Sequence, residues 1–423
     1  MMIIDEPFAA PELIEYLVCT QEPVLLNSMA EKILKRHSIK ALGDEEFAAR
    51  VNAGGRLICT SENAFSWIAQ HIEDEAVTEA IATFKDKARM RKLLAPMYPS
   101  LEYREIPTAQ LKEVCFEDFS TPFVLKPNVG YCSVGVYVVE SRQQWDAALA
   151  DIDENMAVWR SRYAKSALDE GSFVAESYLE GTEFAVDAFF DNNGEAVVLD
   201  VLRHEFANAA DTSDRCYVTG ASVVREYAPA FASWLTEVNG HVGVKDFPVH
   251  VGARMSNGVI TPIEFNPLRF AGICGTEVAY HAYGFHTYDY FLHDIRPNWN
   301  ELLKGKEGKL YCMGYLPAPE KLAAGECGFD YDGFLSHFEG LQAFYRFDPR
   351  QTGALGFIFL ETEENDETER AFLCEADLTQ FCVGVSQYAT MPQPALVCGC
   401  GLGRLALGGL HRVRLMVLSM LQI

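Results

Sequence analysis

The chain has 423 residues, of which 49% are hydrophobic and 22% are charged, a composition typical of a globular protein with two or three domains. Its formal net charge of −25 argues against a nucleic acid or an anionic membrane as partner, because phosphate groups require a basic surface. The twelve cysteines are scattered without a CxxC pair, which indicates free thiols in a reducing compartment. Neither a signal peptide nor an apolar run of roughly 20 residues is evident, so we expect a cytoplasmic protein.

Residues 1–84 are predicted to form a small α/β unit. Short apolar segments at 23–27 and 56–60 indicate buried strands, and residues 11–20 and 30–37 are predicted helices before and between them. Ser61 is well placed to cap a further helix after the second strand. Alternation of strands and helices favours a parallel sheet, and no GxGxxG fingerprint follows either strand.

Residues 83–95, TFKDKARMRKLLA, are predicted to form a basic helix in an otherwise acidic protein. Its cations are Lys85, Lys87, Arg89, Arg91 and Lys92. Two interpretations stay open, namely a solvated helix face and a helix that faces an anion.

Residues 122–139 indicate a β-hairpin with a glycine-containing loop. A short strand ends on Lys126, and the loop contains Gly130, Ser133 and Gly135. Small residues let backbone N–H groups approach phosphate oxygens, and the lysine adds a positive charge. The loop joins two strands and lacks the Walker pattern, so an ordinary hairpin remains the alternative.

Further helices and strands are predicted between the glycine hairpin and residue 247. Residues 142–168 have helical spacing, and residues 172–202 indicate three strands joined by turns. An amphipathic helix is predicted at 227–242.

Residues 300–382 indicate an accessory α/β module without recognisable chemistry. Residues 383–423 lack acidic residues and indicate a poorly integrated tail, with a partner-binding or membrane-surface helix as the alternative.

Residues 247–272 carry the strongest candidate site. The segments 250–255 and 259–265 are predicted strands, and the Ser-Asn-Gly sequence between them is a turn signal. Glu264 and Asn266 lie two residues apart, so their side chains leave the strand on one face. A carboxylate and an amide oxygen suit Mg²⁺, and Arg269 adds a nearby positive charge. The alternative is a surface hairpin with a chance Glu-x-Asn sequence.

The order of these motifs along residues 80–295 resembles the ATP-grasp superfamily. The resemblance implies an α+β fold in which two α+β subdomains, at 85–170 and 171–299, grip ATP. A small Rossmann-like α/β unit at 1–84 would precede them. Each motif is short, and the resemblance depends on their joint order and spacing.

The resemblance implies a set of phosphate contacts. Lys126 would reach the nucleotide phosphates, and Lys87 would add a second contact from the small subdomain. The loop that contains Gly130, Ser133 and Gly135 would close over the phosphates.

The resemblance also implies where the nucleoside binds. Glu176 and the backbone of Tyr178 and Leu179 would form the hinge that reads the adenine base. Glu183 would accept the ribose hydroxyl groups.

Glu264 and Asn266 would hold Mg²⁺, with Mn²⁺ as an alternative ion, between the β- and γ-phosphates. The implied reaction is phosphoryl transfer to a small-molecule carboxylate, followed by attack of an amine on the acylphosphate. Arg254 and Arg269 are the candidates for stabilising the developing negative charge, and Arg203 has a weaker case; a structural ion pair is the alternative for each.

One position departs from the family pattern. An acidic residue usually lies on the strand before the Glu-x-Asn strand, and here that position is Gly252, with His250 and Asp187 as substitutes to consider. The leading prediction is therefore a carbon–nitrogen ligase, and the alternative is a nucleotide-binding protein with reduced or no ligase activity. A scaffold without a ligand requires all four motifs to be accidental. The substrates and the oligomeric state stay open, with a homodimer as one option.

Overall fold

The computed structural model describes residues 1–130, 135–162, 171–208, 213, 215–272, 274–384 and 397–398. The backbone alone is described at 157–162 and 397–398. Ser133 and most of the predicted tail at 383–423 lie outside the described residues, as does the end of the helix predicted at 142–168. None of the described helices is both long enough and apolar enough to cross a membrane.

The N-terminal residues form a parallel four-stranded sheet, as the alternation of apolar segments predicts. Its strand order is β3-β2-β1-β4, and the strands are short and largely buried. The expected N-cap at Ser61 is confirmed, since its side chain accepts the backbone N–H of Asn63. The elements are β1 (Met2–Ile3), α1 (Pro11–Thr20), β2 (Val24–Leu25), α2 (Ser28–Leu34), β3 (Ala41–Leu42), α3 (Asp44–Asn52), β4 (Ile58–Cys59) and α4 (Phe65–His71).

The basic segment 83–95 is not one helix, so that prediction is wrong. Helix α5 (Glu75–Lys85) ends at Asp86, whose extended backbone and side chain cap a second helix, α6 (Lys87–Leu93). The Asp86 carboxylate accepts the backbone N–H of Arg89 at 2.8 Å, which satisfies one of the orphan donors at the start of α6. The break turns Lys85 and Lys87 towards the interior, where both side chains are buried.

A small antiparallel sheet with the order β5-β8-β6-β7 contains the predicted glycine hairpin. It has its own apolar core, in which Phe123, Trp145 and Phe173 are buried. Its last strand in sequence extends to Ser177, beyond the boundary expected at residue 170. The elements are β5 (Tyr103–Pro107), β6 (Phe123–Pro127), β7 (Tyr137–Val139), α7 (Arg142–Arg162) and β8 (Ser172–Ser177).

The largest sheet has nine strands in the order β13-β12-β9-β10-β11-β14-β17-β16-β19. Helix α8 covers one face, where Phe184 packs against Tyr227 and Phe231. Alternation along the strands sends Glu183 and Asp187 to the opposite face. The first elements are β9 (Thr182–Phe190), β10 (Ala196–His204), β11 (Cys216–Gly220), α8 (Ala221–Val242), β12 (Phe247–Ser256), β13 (Val259–Pro267), α9 (Val278–Tyr283), α10 (Thr287–Leu292) and α11 (Trp299–Leu302).

The residues expected to form an accessory module at 300–382 continue this large sheet. Five residue pairs join β11 to β14, from Cys216 with Gly314 to Gly220 with Leu310. A ladder of backbone hydrogen bonds therefore joins strands from the two sides of the boundary expected at residue 300. The elements are β14 (Lys309–Pro317), α12 (Glu320–Ala323), β15 (Gly328–Phe329), α13 (Tyr331–Leu335), β16 (Leu341–Arg346), α14 (Pro349–Thr352), β17 (Ala354–Glu363), α15 (Thr368–Glu375), β18 (Cys382–Val383) and β19 (Val397–Cys398).

A buried acid joins the N-terminal unit to this extended sheet. Glu12 of α1 is 5% exposed and accepts a hydrogen bond of 2.5 Å from the hydroxyl of Tyr345. Burial, reinforced by the charge of Glu277, raises the pKa of Glu12 to about 7. The folded protein therefore favours the neutral acid at a pH where the unfolded chain has already lost the proton.

This raised pKa predicts that stability falls as the pH rises. Below the pKa of Glu12 in the unfolded chain, the neutral acid contributes about 3 kcal/mol to the free energy of unfolding. This contribution is lost as the pH rises to about 7. Glu12→Gln should flatten the fall, as measured by urea unfolding from about pH 5 to about pH 7.5. Parallel curves for the wild type and the variant would contradict the assignment.

Candidate functional site

The hairpin predicted at 250–265 is present. Asn257 and Gly258 both have positive φ, of 51° and 78°, as a tight two-residue turn between twisted strands requires. The register pairs Gly252 of β12 with Glu264 of β13. Glu264 and Asn266 lie on one face, and the Asn266 side-chain N–H donates to the Glu264 carboxylate at 3.2 Å.

The charge around Glu264 is set by lysines from another part of the chain. The Lys87 ammonium lies 3.5 Å from a Glu264 carboxylate oxygen. Burial would raise the pKa of Glu264, but Lys87 and Lys85 outweigh it and bring the pKa to about 2. Glu264 is therefore an anion throughout the neutral range, and 31% of its side chain remains exposed.

The donor set at this face fits a hard divalent cation. The Asn266 side-chain oxygen is buried and has no hydrogen-bond partner among the described residues. A carboxylate and an unsatisfied amide oxygen are ligands that Mg²⁺ accepts, with water and phosphates completing its shell. The described residues contain no metal-binding group of three His, Cys, Asp or Glu side chains, so the protein alone supplies few ligands.

Gly252 leaves space opposite Glu264. A Cβ atom at this position would lie 3.7 Å from Glu264 Cγ and 3.8 Å from Ile263 Cβ, which are ordinary contacts. The missing acidic side chain is therefore not excluded by the backbone.

Asp187 is committed to other groups and orients His250. Its carboxylate accepts the His250 Nδ1–H at 2.7 Å, the Ala271 N–H at 2.9 Å and the Thr276 hydroxyl at 2.7 Å. Since both carboxylate oxygens are engaged, Asp187 is a poor candidate for the missing metal ligand. His250 lies opposite Asn266 in the register, with its ring fixed by Asp187.

Lys126 lies at the base of the glycine hairpin, in a buried ion-pair cluster. Its ammonium is 2.6 Å from Glu176, whose carboxylate also accepts the Arg91 Nε–H at 2.7 Å and an Nη2–H at 3.0 Å. Lys126 also donates to the Ile263 carbonyl of β13, at 3.2 Å. Burial would raise the pKa of Glu176, but Arg91 and Lys126 lower it to about 2.

This cluster changes the expected role of Glu176. Both oxygens of its carboxylate are held by cations, so the side chain is not available to read an adenine base. Glu176 instead holds Lys126 beside β13. Arg91 comes from the basic segment, which therefore is not a solvated face at this position.

Arg254 lies at the hinge and not at the metal-binding end of the hairpin. Its guanidinium donates to the Leu179 carbonyl at 2.7 Å and to the Tyr178 hydroxyl at 2.9 Å. Two further N–H groups donate to one oxygen of Glu183, at 3.0 and 2.9 Å. The role expected for Arg254, stabilising charge on the transferred phosphoryl group, does not fit these contacts. Its guanidinium is held near the turn of the hairpin, whereas Asn266 lies at the other end.

Glu183 is held in place as an anion. Besides Arg254, His204 Nδ1 lies 3.4 Å from its second oxygen. Burial would raise the pKa of Glu183, but His204 and Arg254 outweigh burial and lower it. Hinge residues Tyr178 and Leu179 are thereby connected to the predicted ribose-binding acid.

The glycine loop is described at both of its ends. The Gly130 carbonyl accepts a hydrogen bond of 3.3 Å from Lys85, and Gly135 has a φ of 71°, which favours glycine there. Ser133 lies outside the described residues. Of the two remaining predicted cations, Arg269 donates two hydrogen bonds to Glu62, at 3.0 and 3.2 Å, and Arg203 pairs with Glu205 at 3.0 Å.

A sequence profile of the ATP-grasp domain matches residues 119–277. The chain contains an ATP-grasp domain. The match includes the glycine hairpin, the hinge and the Glu264 hairpin, whereas Lys87 lies before it.

Solved structures share the ATP-grasp fold over most of their length. L-amino acid ligase from Bacillus licheniformis is 18% identical with a TM-score of 0.64, covering 91% of this chain and 98% of its own. N5-carboxyaminoimidazole synthase from Aspergillus clavatus, solved with ADP and 5-aminoimidazole ribonucleotide, is 15% identical with a TM-score of 0.56, covering 88% and 96%. Biotin carboxylase from Campylobacter jejuni is 11% identical with a TM-score of 0.56, covering 86% and 87%. No curated protein matched in sequence.

Sequence reasoning missed three residues of the candidate site, namely Arg91 as a partner of Glu176, His204 beside Glu183, and Glu62 beside Arg269. Arg91 gave a signal, since it belongs to the basic segment. His204 and Glu62 gave none, because each contact joins parts of the chain that are distant in sequence.

The buried cluster predicts a large effect of removing Arg91. Arg91→Met leaves Glu176 with Lys126 as its only cation, and removing one partner of a buried ion pair costs about 3 kcal/mol. In the matched control Arg104→Met, which removes an exposed pair with Asp118, the cost should stay within about 1 kcal/mol. Equal urea midpoints for the two variants would contradict the assigned role of the cluster.

Proposed function

We propose that the protein is an Mg²⁺-dependent ATP-grasp ligase that joins a small-molecule carboxylate to an amine. The observation that carries this proposal is the meeting of Lys87, Glu264 and the unsatisfied Asn266 oxygen on one face of the hairpin. The fold shared with L-amino acid ligase from Bacillus licheniformis supports the reaction class.

In the proposed complex ATP lies between the small sheet and the nine-stranded sheet. The backbone at Tyr178 and Leu179 binds the adenine edge, and Glu183, held by Arg254, accepts the ribose hydroxyls. Lys126 and Lys87 contact the phosphates, where their charges offset those of the phosphate oxygens.

Glu264 and Asn266 would hold Mg²⁺, and the bound ion would neutralise negative charge on the phosphate oxygens. The low pKa of Glu264 keeps its carboxylate available to a cation at neutral pH.

The reaction has two steps. A substrate carboxylate oxygen attacks the γ-phosphorus, the bond to the ADP oxygen breaks, and an acylphosphate forms. The amine nitrogen then attacks the acyl carbon, phosphate leaves, and the nitrogen loses a proton. Lys87 and Arg269 would stabilise the negative charge of both steps, so the protein acts by positioning and electrostatics.

A second candidate function is nucleotide binding with little or no ligase turnover. The specific observation that favours it is Gly252, which lies opposite Glu264 where an acidic metal ligand would fit. Fewer protein ligands would hold the cation more weakly and reduce phosphoryl transfer.

Thermal unfolding with Mg-ATP, followed by an ADP-release assay, tests the proposal. At a concentration about 100 times the dissociation constant, nucleotide should stabilise the fold by about 2.7 kcal/mol. ADP release, measured with a panel of amino acids as substrates, should require both a carboxylate and an amine. An absent thermal shift would contradict both candidate functions, whereas a shift without ADP release would favour the second.

Gly252→Glu should strengthen Mg²⁺ binding by supplying the missing carboxylate. Mg²⁺ titration of nucleotide binding should show half-saturation at about tenfold lower Mg²⁺, because ligand charge tunes affinity. Gly240→Glu adds the same charge at an open helical position and serves as the control. If both variants titrate like the wild type, position 252 is not a metal-ligand position.

A further inference from the structure

Glu62 lies at the point where the N-terminal unit meets the candidate site. It follows β4 and begins a short helical turn that Ser61 caps. The residue is 9% exposed, and its carboxylate is the shared partner of two cations from distant segments. One oxygen lies 2.6 Å from the Lys85 ammonium, and the other accepts two N–H groups of Arg269.

The backbone next to Arg269 is hydrogen-bonded to β4, the strand that precedes Glu62. Leu268 has a φ of 55°, a conformation that costs free energy for a residue with a Cβ atom. Its carbonyl accepts the Cys59 N–H at 2.8 Å, and its own N–H donates to Pro248 at 2.9 Å. The N-terminal unit therefore holds both the backbone before Arg269 and the guanidinium itself.

The two cations lie beside the metal-binding end of the site. Lys85 donates to the Gly130 carbonyl of the glycine loop, and Lys87, two residues further on, lies 3.5 Å from Glu264. Arg269 is three residues beyond Asn266. Lys85 and Arg269 both pair with the carboxylate of Glu62, so this one side chain fixes the position of both cations.

The two cations of the cluster favour the ionised form of Glu62. Burial would raise the pKa of Glu62, but Arg269 and Lys85 outweigh it and lower the pKa. A neutral residue of the same shape would leave the buried Lys85 ammonium without the charge of the Glu62 carboxylate. It would also weaken the two hydrogen bonds that hold the Arg269 guanidinium.

We propose that Glu62 is a positioning residue through which the N-terminal unit directs Arg269 and Lys85 at the γ-phosphate of the nucleotide. This role rests on the proposed function to the extent that ATP binds at the Glu264 site. The N-terminal unit then completes the phosphoryl-transfer site of the ATP-grasp domain.

Glu62→Gln tests this role through the preference for ATP over ADP, which requires no knowledge of the substrates. Dissociation constants measured by calorimetry with Mg²⁺ should show about tenfold less preference for ATP, because oriented charged donors to the γ-phosphate are lost. ADP affinity should stay unchanged. Glu46→Gln removes an exposed acid of the same unit and should keep the wild-type preference.

A double-mutant cycle separates positioning from a general loss of folding. Arg269→Met alone should also reduce the preference for ATP. The double variant Glu62→Gln/Arg269→Met should lose less than the product of the two single losses, since both changes act through one guanidinium. Glu62→Asp, which keeps the charge, should recover part of the preference.

The outcomes distinguish this role from the proposed function. Equal loss of ATP and ADP affinity in Glu62→Gln, or losses that multiply in the double variant, would overturn the positioning role alone. A wild type that binds ATP without any ligase turnover would overturn the ligase and leave the role of Glu62 to be decided by the binding data. A wild type that binds neither nucleotide would overturn both.

Discussion

Charge balance between buried cations of α5 and α6 and carboxylates from three other segments holds the candidate site together. Lys85 faces Glu62, Lys87 faces Glu264, and Arg91 faces Glu176. Burial disfavours an isolated charge, so each cation requires its partner. These pairs join the N-terminal unit, the small sheet and the nine-stranded sheet at the candidate site.

The same balance explains how one short segment serves several purposes. Asp86 ends α5 and caps α6, and this break allows Lys85 and Lys87 to point into different parts of the site. A continuous helix would place residues two apart on different faces, with one of them turned to solvent. The helix break is thus a local backbone feature with a direct consequence for the electrostatics of phosphate binding.

The sequence predicted those parts of the fold that local patterns encode. The Asn257-Gly258 turn and the Glu264 hairpin follow from turn chemistry and strand alternation, and the structure has both. The pairing of β11 with β14 could not be predicted from the sequence, because strands about 100 residues apart leave no local pattern when they pair. The contact between Arg269 and Glu62 was missed for the same reason, since it spans 207 residues, whereas the basic segment indicated Arg91 without naming its partner 85 residues away.

A structure of the protein with Mg²⁺ and a non-hydrolysable ATP analogue tests the central claim most directly. We expect a metal ion bound by the Glu264 carboxylate and the Asn266 side-chain oxygen, with Lys87 and Lys126 in contact with the phosphates. Binding of the nucleotide elsewhere, or a metal ion in the cleft that contacts neither Glu264 nor Asn266, would contradict it.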